Sequence, residues 1–337
     1  MINGLAGQLP EQLSTSLHLD AAYRAAQIFE WIQRGVFSFH DMTNLPKPLR
    51  SSLAEQFPSI IESTVEKQQL DPQDGSLKLT LRLFDGAVVE TVMLNDGNDR
   101  NTACVSSQAG CAMGCRFCRT GTLGLKRSLS ASEIVEQLIL LKSFGHKITH
   151  VVFMGMGEPL ANLEEVRRSI AVFHHPQGHD IGHRRITVST CGLPQGIRSL
   201  AESGPPVRLA VSLVAPENTL RSSLMPINTA FPLESLKPAL AEYQQKTRRR
   251  ITLEYVLMKG ENDRTEDVQR LAAFCSGLQV LVNLIPWNPA ADLPFKQPSQ
   301  REAEAFARRL EHAGLRVSKR LRKGQSINGA CGQLAGE

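Results

Sequence analysis

Beyond residue 100 the chain alternates short apolar runs with longer amphipathic stretches. Helix-length patterns follow each of six apolar runs, which lie at residues 102–107, 149–155, 185–190, 207–213, 251–257 and 280–285. The first of these helices begins with a capping box, Ser130 to Glu133, in which each side chain bonds the other residue's backbone N–H. Six strand–helix units in a row predict an α/β fold whose parallel sheet curls into a barrel or part of one. In that architecture, ligands bind at the carboxyl ends of the strands.

The first 95 residues have a different pattern. A helix is predicted over residues 21–34, and alternating apolar and polar residues predict strands at 77–84 and 88–94. We therefore expect a small α+β accessory domain, residues 1–95, followed by a main domain, residues 96–337.

The composition is that of an ordinary globular protein. The 337 residues include seven cysteines, and the formal net charge is +5 at pH 7. An odd number of cysteines disfavours a disulfide framework and favours a reducing compartment, here the cytoplasm. No apolar run reaches about 18 residues, and the N-terminus lacks the charged and apolar regions of a secretory signal. We expect no membrane span, and the mild positive charge permits a nucleic-acid partner without requiring one.

Three cysteines stand close together after the first apolar run. Cys111, Cys115 and Cys118 have the spacing C-x3-C-x2-C. Three thiolates can bind three irons of a cubic [4Fe–4S] cluster, and the fourth iron is then open to S-adenosylmethionine (SAM). An electron from such a cluster cleaves the SAM sulfonium and releases a 5′-deoxyadenosyl radical. The alternative is a structural zinc site, which needs four ligands; no second cysteine pair is present, and the nearest histidine, His146, is far away in the sequence.

Polar and glycine-containing segments lie at the ends of other predicted strands. Gly155-Met-Gly-Glu-Pro159 follows the second strand; its glycines, Gly157 included, permit close approach of a ligand, and Glu158 can accept from an ammonium group. Ser189, Ser212 and Asn288 come at the ends of the third, fourth and sixth strands, where their side chains can hold a ribose or an adenine edge. Each segment alone is typical of a turn or cap. Beside a cluster motif, Gly155-Met-Gly-Glu-Pro159 becomes a stronger indication of a ligand site.

Two further cysteines have unusual settings. Cys104 lies in the first strand, and Cys331 lies in a glycine-containing C-terminal tail that is poorly suited to a core. A mobile thiol beside a radical source suggests covalent catalysis. Cys191 and Cys275 are instead predicted to be buried and inert. On the second N-terminal strand, alternation places Glu90 on the solvent-facing side.

Basic residues concentrate in three places, namely Arg184-Arg185, Arg248 to Arg250 and Arg316 to Lys323. Such clusters are commonly solvated helix ends and strand edges. The third cluster adjoins Cys331 in the sequence, so the alternative is that it binds phosphate groups near the active site.

Taken together, these motifs resemble those of the RlmN/Cfr family of radical-SAM RNA adenine methyltransferases, and the resemblance covers nearly the whole chain. It rests on YRAAQ from Tyr23, CVSSQAGCAMGCRFC from Cys104, GMGEP from Gly155, LMPIN from Leu224, NLIPWNP from Asn283 and ACGQL from Ala330. The combination of the cysteine motif with a C-terminal ACGQL is highly specific. The resemblance implies a radical-SAM (βα)6 partial barrel with a small N-terminal α+β domain that contacts RNA.

The resemblance also implies roles for individual residues. Cys111, Cys115 and Cys118 would bind the cluster, and the positions that match the family's SAM site are Gly157, Glu158, Ser189, Ser212, Leu213, Val214 and Asn288. Cys331 matches the cysteine that receives a methyl group from one SAM. A second SAM would yield the radical that removes hydrogen from this methyl group, and the methylene radical then adds to an adenine ring carbon. Cys104 matches the thiol that resolves the adduct by forming a disulfide with Cys331, and Glu90 matches the proton acceptor.

The chain departs from the family pattern in two places. Val214 stands where the family usually has a histidine, in SLHAP. In the tail, Ser326 replaces an aspartate and Gly329 replaces an alanine, which we expect to loosen the loop that presents Cys331. These changes leave the reaction type intact but open the question of the exact substrate.

The implied activity is methylation of an adenosine ring carbon in RNA, namely carbon 2 in 23S rRNA, with tRNA as a further substrate. The alternatives are methylation at carbon 8, which is the antibiotic-resistance activity of the same family, a radical-SAM enzyme for a small molecule, and a non-catalytic, metal-stabilised RNA-binding protein. The resemblance further implies an electron donor such as flavodoxin or ferredoxin, no membrane, and a monomeric state.

Overall fold

The computed structural model describes residues 4–97, 100–290, 293–319 and 323–336. Its α-helices are α1 (Pro10–Ser16), α2 (Ala22–Gln33), α3 (Lys47–Gln56), α4 (Arg119–Thr122), α5 (Ala131–Ser143), α6 (Leu163–His174), α7 (Pro194–Ser203), α8 (Asn218–Leu224), α9 (Ile227–Ala230), α10 (Leu233–Thr247), α11 (Thr265–Cys275) and α12 (Gln300–His312). Its strands are β1 (Thr64–Leu70), β2 (Leu77–Arg82), β3 (Val88–Asn95), β4 (Asn101–Cys104), β5 (Gln108–Gly110), β6 (Leu125–Ser128), β7 (His150–Phe153), β8 (Ile186–Thr190), β9 (Arg208–Ser212), β10 (Ile251–Leu257), β11 (Val280–Pro286) and β12 (Val317–Lys319). No helix in these ranges is long and apolar enough to cross a membrane.

Ten of the strands form one mixed sheet in the order β1-β2-β3-β4-β7-β8-β9-β10-β11-β12. From β4 onward neighbouring strands run parallel, whereas β1 to β4 are joined by antiparallel pairing. The parallel strands follow one another in sequence order with helices between them, which is the arrangement of a (βα) partial barrel. The remaining strands, β5 and β6, pair with each other beside the cysteine motif. The predicted α/β fold is confirmed.

The N-terminal strands extend this same sheet. Strand β3 pairs with β4, from Val92↔Cys104 to Asn95↔Asn101. Buried apolar side chains from both parts of the chain belong to one cluster. The predicted boundary at residue 95 thus falls inside a continuous sheet, and the division into two domains at that point stays a prediction.

Helix α5 joins the N-terminal segment to the parallel strands. Ser132 Oγ accepts a hydrogen bond from the Gly7 N–H (2.8 Å), and Glu136 Oε2 accepts one from the Ser63 N–H (2.9 Å). A Cβ on Gly7 would lie 2.4 Å from the Ser132 backbone nitrogen, so this close approach requires glycine. These contacts fix the N-terminal segment beside the strands that carry the site.

Predicted and observed elements agree closely in the parallel part of the chain. The six predicted strands coincide with β4 and with β7 to β11, although their ends differ by up to three residues. Helix α5 begins as predicted, since Ser130 Oγ accepts from the Glu133 N–H (3.2 Å) and Glu133 Oε2 accepts from the Ser130 N–H (2.9 Å). One further parallel strand, β12 (Val317–Lys319), follows α12 and pairs with β11 at the end of the sheet.

Candidate active site

The carboxyl ends of the parallel strands surround a cleft of about 950 Å³, its open mouth included. Residues from the cysteine motif, from several strand ends and from the C-terminal tail line this cleft. The predicted site residues among them are Cys111, Cys115, Cys118, Gly157, Glu158, Ser189, Ser212, Asn288 and Cys331. The fold therefore gathers distant segments into one cleft whose size is typical of a small-molecule site.

A tight loop presents the three motif cysteines to the cleft. A Cβ on Gly121 would lie 2.6 Å from the Cys115 carbonyl oxygen, so the loop closes tightly on itself. Cys118 precedes α4, and its N–H donates to the same Cys115 carbonyl (3.1 Å). Trp287 Nε1 donates to the Phe117 carbonyl (3.0 Å), which fixes the loop against the end of β11.

The three thiols suit an iron–sulfur cluster. Burial is the main cause that raises the pKa of Cys111 to about 11, and burial also raises the pKa values of Cys115 and Cys118. Iron binding must therefore displace protons from these thiols. Within the described part of the chain, no three His, Cys, Asp or Glu side chains converge on a point as ligands of a single ion. A cubic cluster instead takes one thiolate per iron, and all three thiols line the same cleft.

Glu158 is held in the cleft wall by backbone groups. Its Oε1 accepts from the Leu160 N–H (3.0 Å), and its Oε2 accepts from the Cys191 N–H (2.8 Å). Burial raises the pKa of the Glu158 carboxyl, whereas these N–H groups favour its charged form. A carboxylate in this position can attract the ammonium group of a ligand.

Gly157 is required by packing within the protein. Its φ is +100°, and a Cβ at this position would lie 2.5 Å from Gln108 Cβ. Gln108 Oε1 in turn accepts from the Glu158 N–H (2.9 Å). The glycine therefore positions Glu158, in addition to any close approach that it allows to a ligand.

Asn288 connects the cleft with the C-terminal tail. Its Nδ2 donates to the Cys331 carbonyl (3.2 Å), while its buried Oδ1 has no hydrogen-bond partner among the described residues. A buried acceptor without a partner is costly, so this atom marks a place for a donor group of a ligand. The half-buried Ser189 and Ser212 line the same cleft from the ends of β8 and β9. These polar groups fit the ribose and adenine parts of SAM.

Two of the predicted SAM positions do not line the cleft. Leu213 and Val214 are fully buried, and their N–H groups donate to the Glu254 carbonyl (3.1 and 3.4 Å). Val214 has a φ of +60°, which is unfavourable for a β-branched residue, and its carbonyl accepts from Asn262 Nδ2 (2.8 Å). Because both N–H groups are engaged, the assignment of these two residues to the SAM site stays a prediction.

Cys104 and Cys331 meet at a second, smaller cavity beside the cleft. Both cysteines line it, as does Lys323, and Met154 and Asn288 line this cavity and the cleft alike. No disulfide bond joins the two cysteines in the described structure. The fold thus brings both thiols to one cavity next to the cleft.

The turn between β1 and β2 anchors the tail that carries Cys331. Asp74 Oδ2 accepts from the Gly324 N–H (2.8 Å), and Asp71 Oδ2 accepts from the Ser326 N–H (3.3 Å). An aspartate at position 326 would bring a second carboxylate next to Asp71, and like charges repel. The serine of this chain therefore suits its neighbour, and these two bonds anchor the tail at this point.

Glu90 holds the other end of the tail. Its side chain is 2% exposed, its Oε1 lies 2.9 Å from Lys78 Nζ, and its Oε2 accepts from the Ala335 N–H (2.8 Å). The solvent-facing position predicted from alternation is wrong, because the tail covers this part of β3. Glu90 lines neither cavity, so its role as proton acceptor stays a prediction.

We expect Glu90→Leu to lower the free energy of unfolding by about 3–5 kcal/mol, because the Lys78 ammonium group is then buried without a counter-charge. Urea denaturation followed by circular dichroism measures this change. The matched control is the double variant Lys78→Met/Glu90→Leu, which removes both charges and should regain most of the lost stability. If the single variant were as stable as the unmodified chain, this ion pair would not be buried as described.

Two buried charged residues at the site were not identified from the sequence. Arg221 is 0% exposed and donates to the carbonyl groups of Cys191 (2.6 Å), Ser212 (3.2 Å) and Leu213 (3.1 Å), so it ties the ends of β8 and β9 together. Glu254, on β10, lines the cleft. In the sequence, the only signal for Glu254 was that a carboxylate interrupts the otherwise apolar run ITLEYVL.

Comparison with known proteins identifies the family of this chain. A model of the radical SAM superfamily matches residues 105–274, and a model of the ribosomal RNA large subunit methyltransferase N-terminal domain matches residues 16–58. A Treponema denticola protein named probable dual-specificity RNA methyltransferase RlmN is 48% identical over 98% of this chain and 94% of its own length. This chain belongs to the RlmN family. A relative with the same name from Moorella thermoacetica is 45% identical over 99% of this chain and 96% of its own.

A solved structure shows the same fold. The crystal structure of a radical SAM methyltransferase from Sphaerobacter thermophilus is 41% identical, with a TM-score of 0.93 and coverage of 99% of both chains. The RlmN family member described here is accordingly a radical SAM methyltransferase, which confirms the predicted fold class and enzyme class.

Proposed function

We propose that this RlmN family member methylates carbon 2 of an adenosine in 23S rRNA, and an adenosine in tRNA as well. The observation that carries the proposal is the meeting of Cys104 and Cys331 at a small cavity that adjoins the cleft of the three motif cysteines. A methyl transfer that used SAM alone would not need this second pair of thiols. The names of the relatives, which call them probable dual-specificity RNA methyltransferases, support RNA as the substrate and more than one specificity.

The cleft contains the groups that the two cofactors need. Cys111, Cys115 and Cys118 would bind a [4Fe–4S] cluster, and Glu158 and Asn288 would bind the polar parts of SAM. When bound, the cluster and SAM supply a methyl group and a 5′-deoxyadenosyl radical. A cytoplasmic location, a monomeric state and a flavodoxin or ferredoxin as electron donor are further parts of the proposal.

Cys331 is the proposed carrier of the methyl group. Carbon 2 of adenine is not nucleophilic, so it cannot displace a methyl group from SAM directly. The Cys331 thiol can do so: it loses its proton, and its sulfur takes the methyl group to form a thioether. Removal of one hydrogen atom from this methyl group leaves a methylene radical, whose addition to carbon 2 joins Cys331 covalently to RNA.

Cys104 is the proposed resolving thiol. The adduct first has to lose the ring proton, which Glu90 would accept if its bond to the Ala335 N–H opens, and one electron, which a bound [4Fe–4S] cluster, left oxidised by SAM cleavage, could take up. The Cys104 thiolate then attacks the Cys331 sulfur, so that an S–S bond forms, the S–CH2 bond breaks, and the released carbon takes up a proton to become a methyl group. A thiol reductant must reduce this disulfide before the next turnover.

Nucleoside mass spectrometry tests the proposed product. Anaerobically reconstituted enzyme is incubated with SAM, a reductant and unmodified 23S rRNA or tRNA, and the digested RNA is compared with 2-methyladenosine and 8-methyladenosine standards. We expect 2-methyladenosine from both RNAs. A product that coincides only with 8-methyladenosine would overturn the choice of carbon, and cleavage of SAM without any methylated adenosine would overturn the choice of substrate.

A further inference from the structure

One arginine from each basic cluster, together with Arg208, lies at the amino ends of the parallel strands, opposite the cleft. Arg185 immediately precedes β8, Arg208 begins β9, and Arg250 immediately precedes β10. Arg316 immediately precedes β12. All four therefore stand at the amino ends of parallel strands, whereas the cleft lies at the carboxyl ends. Arg316 therefore lies away from Cys331, whereas Lys323 of the same cluster lines the small cavity with Cys331; residues 320–322 lie outside the described residues.

The strand register places these side chains in a staggered row. Thr252 pairs with Ala210, so Arg250 stands in register with Arg208 on the neighbouring strand. Thr187 pairs with Arg208 on the other side, so Arg185 stands two residues before the residue that faces Arg208. Because neighbouring strands are about 4.8 Å apart, three adjacent strands each bring one arginine to this amino-end edge of the sheet, and Arg316 follows beyond β11.

The charges in this row are exposed and uncompensated. Arg185, Arg208, Arg250 and Arg316 are exposed and form no ion pair with a described residue, whereas the nearby Arg100 lies 3.4 Å from Asp96. Burial, together with Arg100, Arg185 and Arg208, lowers the pKa of His150 to about 4. Burial, together with Arg100 and Arg250, also lowers the pKa of Arg208. The cationic groups thus lie close enough to repel one another.

A shallow cleft continues the row at the same edge. It measures about 1150 Å³ with its open side, and Arg250 and Arg316 line it together with Ser276 and Gln279. Two guanidinium groups and neutral polar side chains form a surface that suits anionic groups of a large ligand. A surface with this charge and without described acidic partners fits a polyanion.

We propose that this basic edge, formed by Arg185, Arg208, Arg250 and Arg316, binds the phosphate backbone of the RNA substrate at a distance from the modified nucleotide. The inference rests on the proposed function, since it takes RNA as the substrate. An RNA backbone fits better than an acidic electron donor. Strands of five to seven residues separate this edge from the cluster cysteines by about 17–23 Å, and an electron donor must approach the cluster.

The position of the basic edge predicts a dependence on RNA size. An RNA that reaches the cleft must extend past the length of the strands to contact Arg208 and Arg250. A short stem-loop that contains only the target adenosine and its nearest base pairs should not reach these arginines, so they should not contribute to its affinity. A long ribosomal RNA fragment or a whole tRNA should gain affinity from it.

The test compares Arg185→Gln/Arg208→Gln/Arg250→Gln with a control of equal charge change. The control, Arg168→Gln/Arg198→Gln/Arg270→Gln, neutralises three arginines in the middle of helices, each near a carboxylate partner. Fluorescence anisotropy with a long 23S rRNA fragment and with the short stem-loop measures affinity at several salt concentrations. Methylation kinetics with both RNAs give kcat and KM, and thermal unfolding checks that each variant is folded.

For the long RNA we expect the edge variant to bind about tenfold more weakly, and its log Kd–log salt slope to fall by about 2–3 relative to the unmodified chain. KM for the long RNA should rise with kcat unchanged, while the short stem-loop and the control variant should show neither effect. Equal loss of affinity for both RNAs, or no loss, would overturn the inference. Slower reduction of the cluster by an acidic flavoprotein with RNA binding intact would overturn it in favour of a protein partner.

This test separates the inference from the proposed function. Anisotropy needs neither cluster nor turnover, so the contribution of the edge is measured even if no methylated adenosine forms. Conversely, an edge variant with normal methylation and unchanged RNA affinity would show that the basic edge does not bind RNA. The proposed function would not be affected by that result.

Discussion

The Cys118→Ala variant is expected to contain little or no bound iron after anaerobic reconstitution and to lack the absorbance of an iron–sulfur cluster. Only Cys111 and Cys115 would remain as cluster ligands. Because burial disfavours the thiolate forms of both cysteines, these two ligands alone should not hold a cluster. Without a cluster there is no source of the radical, so methylation should fall to background. Iron analysis and visible absorbance of the reconstituted protein measure the effect.

Cys275→Ala is the matched control for this loss. Cys275 is also buried, but it lies on α11 beside the basic edge and away from the cleft. This variant should keep its iron and its activity. Full iron content in Cys118→Ala would contradict the assignment of the cluster ligands. Stoichiometric zinc in the unmodified protein would instead support a structural metal site.

Replacing Cys104 by alanine should trap the enzyme on its RNA. Addition of Cys331 to adenine does not need Cys104, whereas release needs a thiol that attacks the Cys331 sulfur. The variant should therefore accumulate a covalent protein–RNA species in a single turnover and release almost no methylated RNA. A shift of labelled RNA on a denaturing gel, abolished by protease, detects this species.

Two further variants test which cysteines form and release the covalent protein–RNA species. Cys104→Ala/Cys331→Ala should form no adduct, because the carbon that joins protein and RNA comes from methylated Cys331. Cys191→Ala removes a thiol that lines the cleft but not the small cavity, and it should release product. Absence of any RNA-linked species in Cys104→Ala, with SAM cleavage intact, would remove Cys104 from its proposed role.

The parallel strands and their helices were predictable because each is encoded locally. ITLEYVL is apolar enough to mark the buried strand β10, and the Ser130–Glu133 capping box marks the start of α5. Strand β1, TVEKQQL, escaped prediction because it lies at the sheet edge and is almost wholly exposed, so it carries no apolar pattern. Local sequence therefore predicts buried elements better than exposed ones.

The site was predictable in its chemistry and less so in its contacts. The spacing of Cys111, Cys115 and Cys118 and the glutamate of GMGEP identified cleft residues from sequence alone. The burial of Glu90 was not predictable from its strand, because it depends on a tail some 245 residues away in the sequence. The serine at position 326, treated as a loosening change, could be understood only once Asp71 was seen beside it.

The most direct test of the methyl-cysteine route is the isotopic composition of the product formed from SAM with a trideuterated methyl group. If Cys331 carries the methyl group and loses one deuterium atom before addition to RNA, the final carbon takes a proton from solvent. The methyladenosine should then contain two deuterium atoms and one protium. A product that retains all three deuterium atoms would show direct transfer from SAM and would contradict the proposed roles of Cys331 and Cys104.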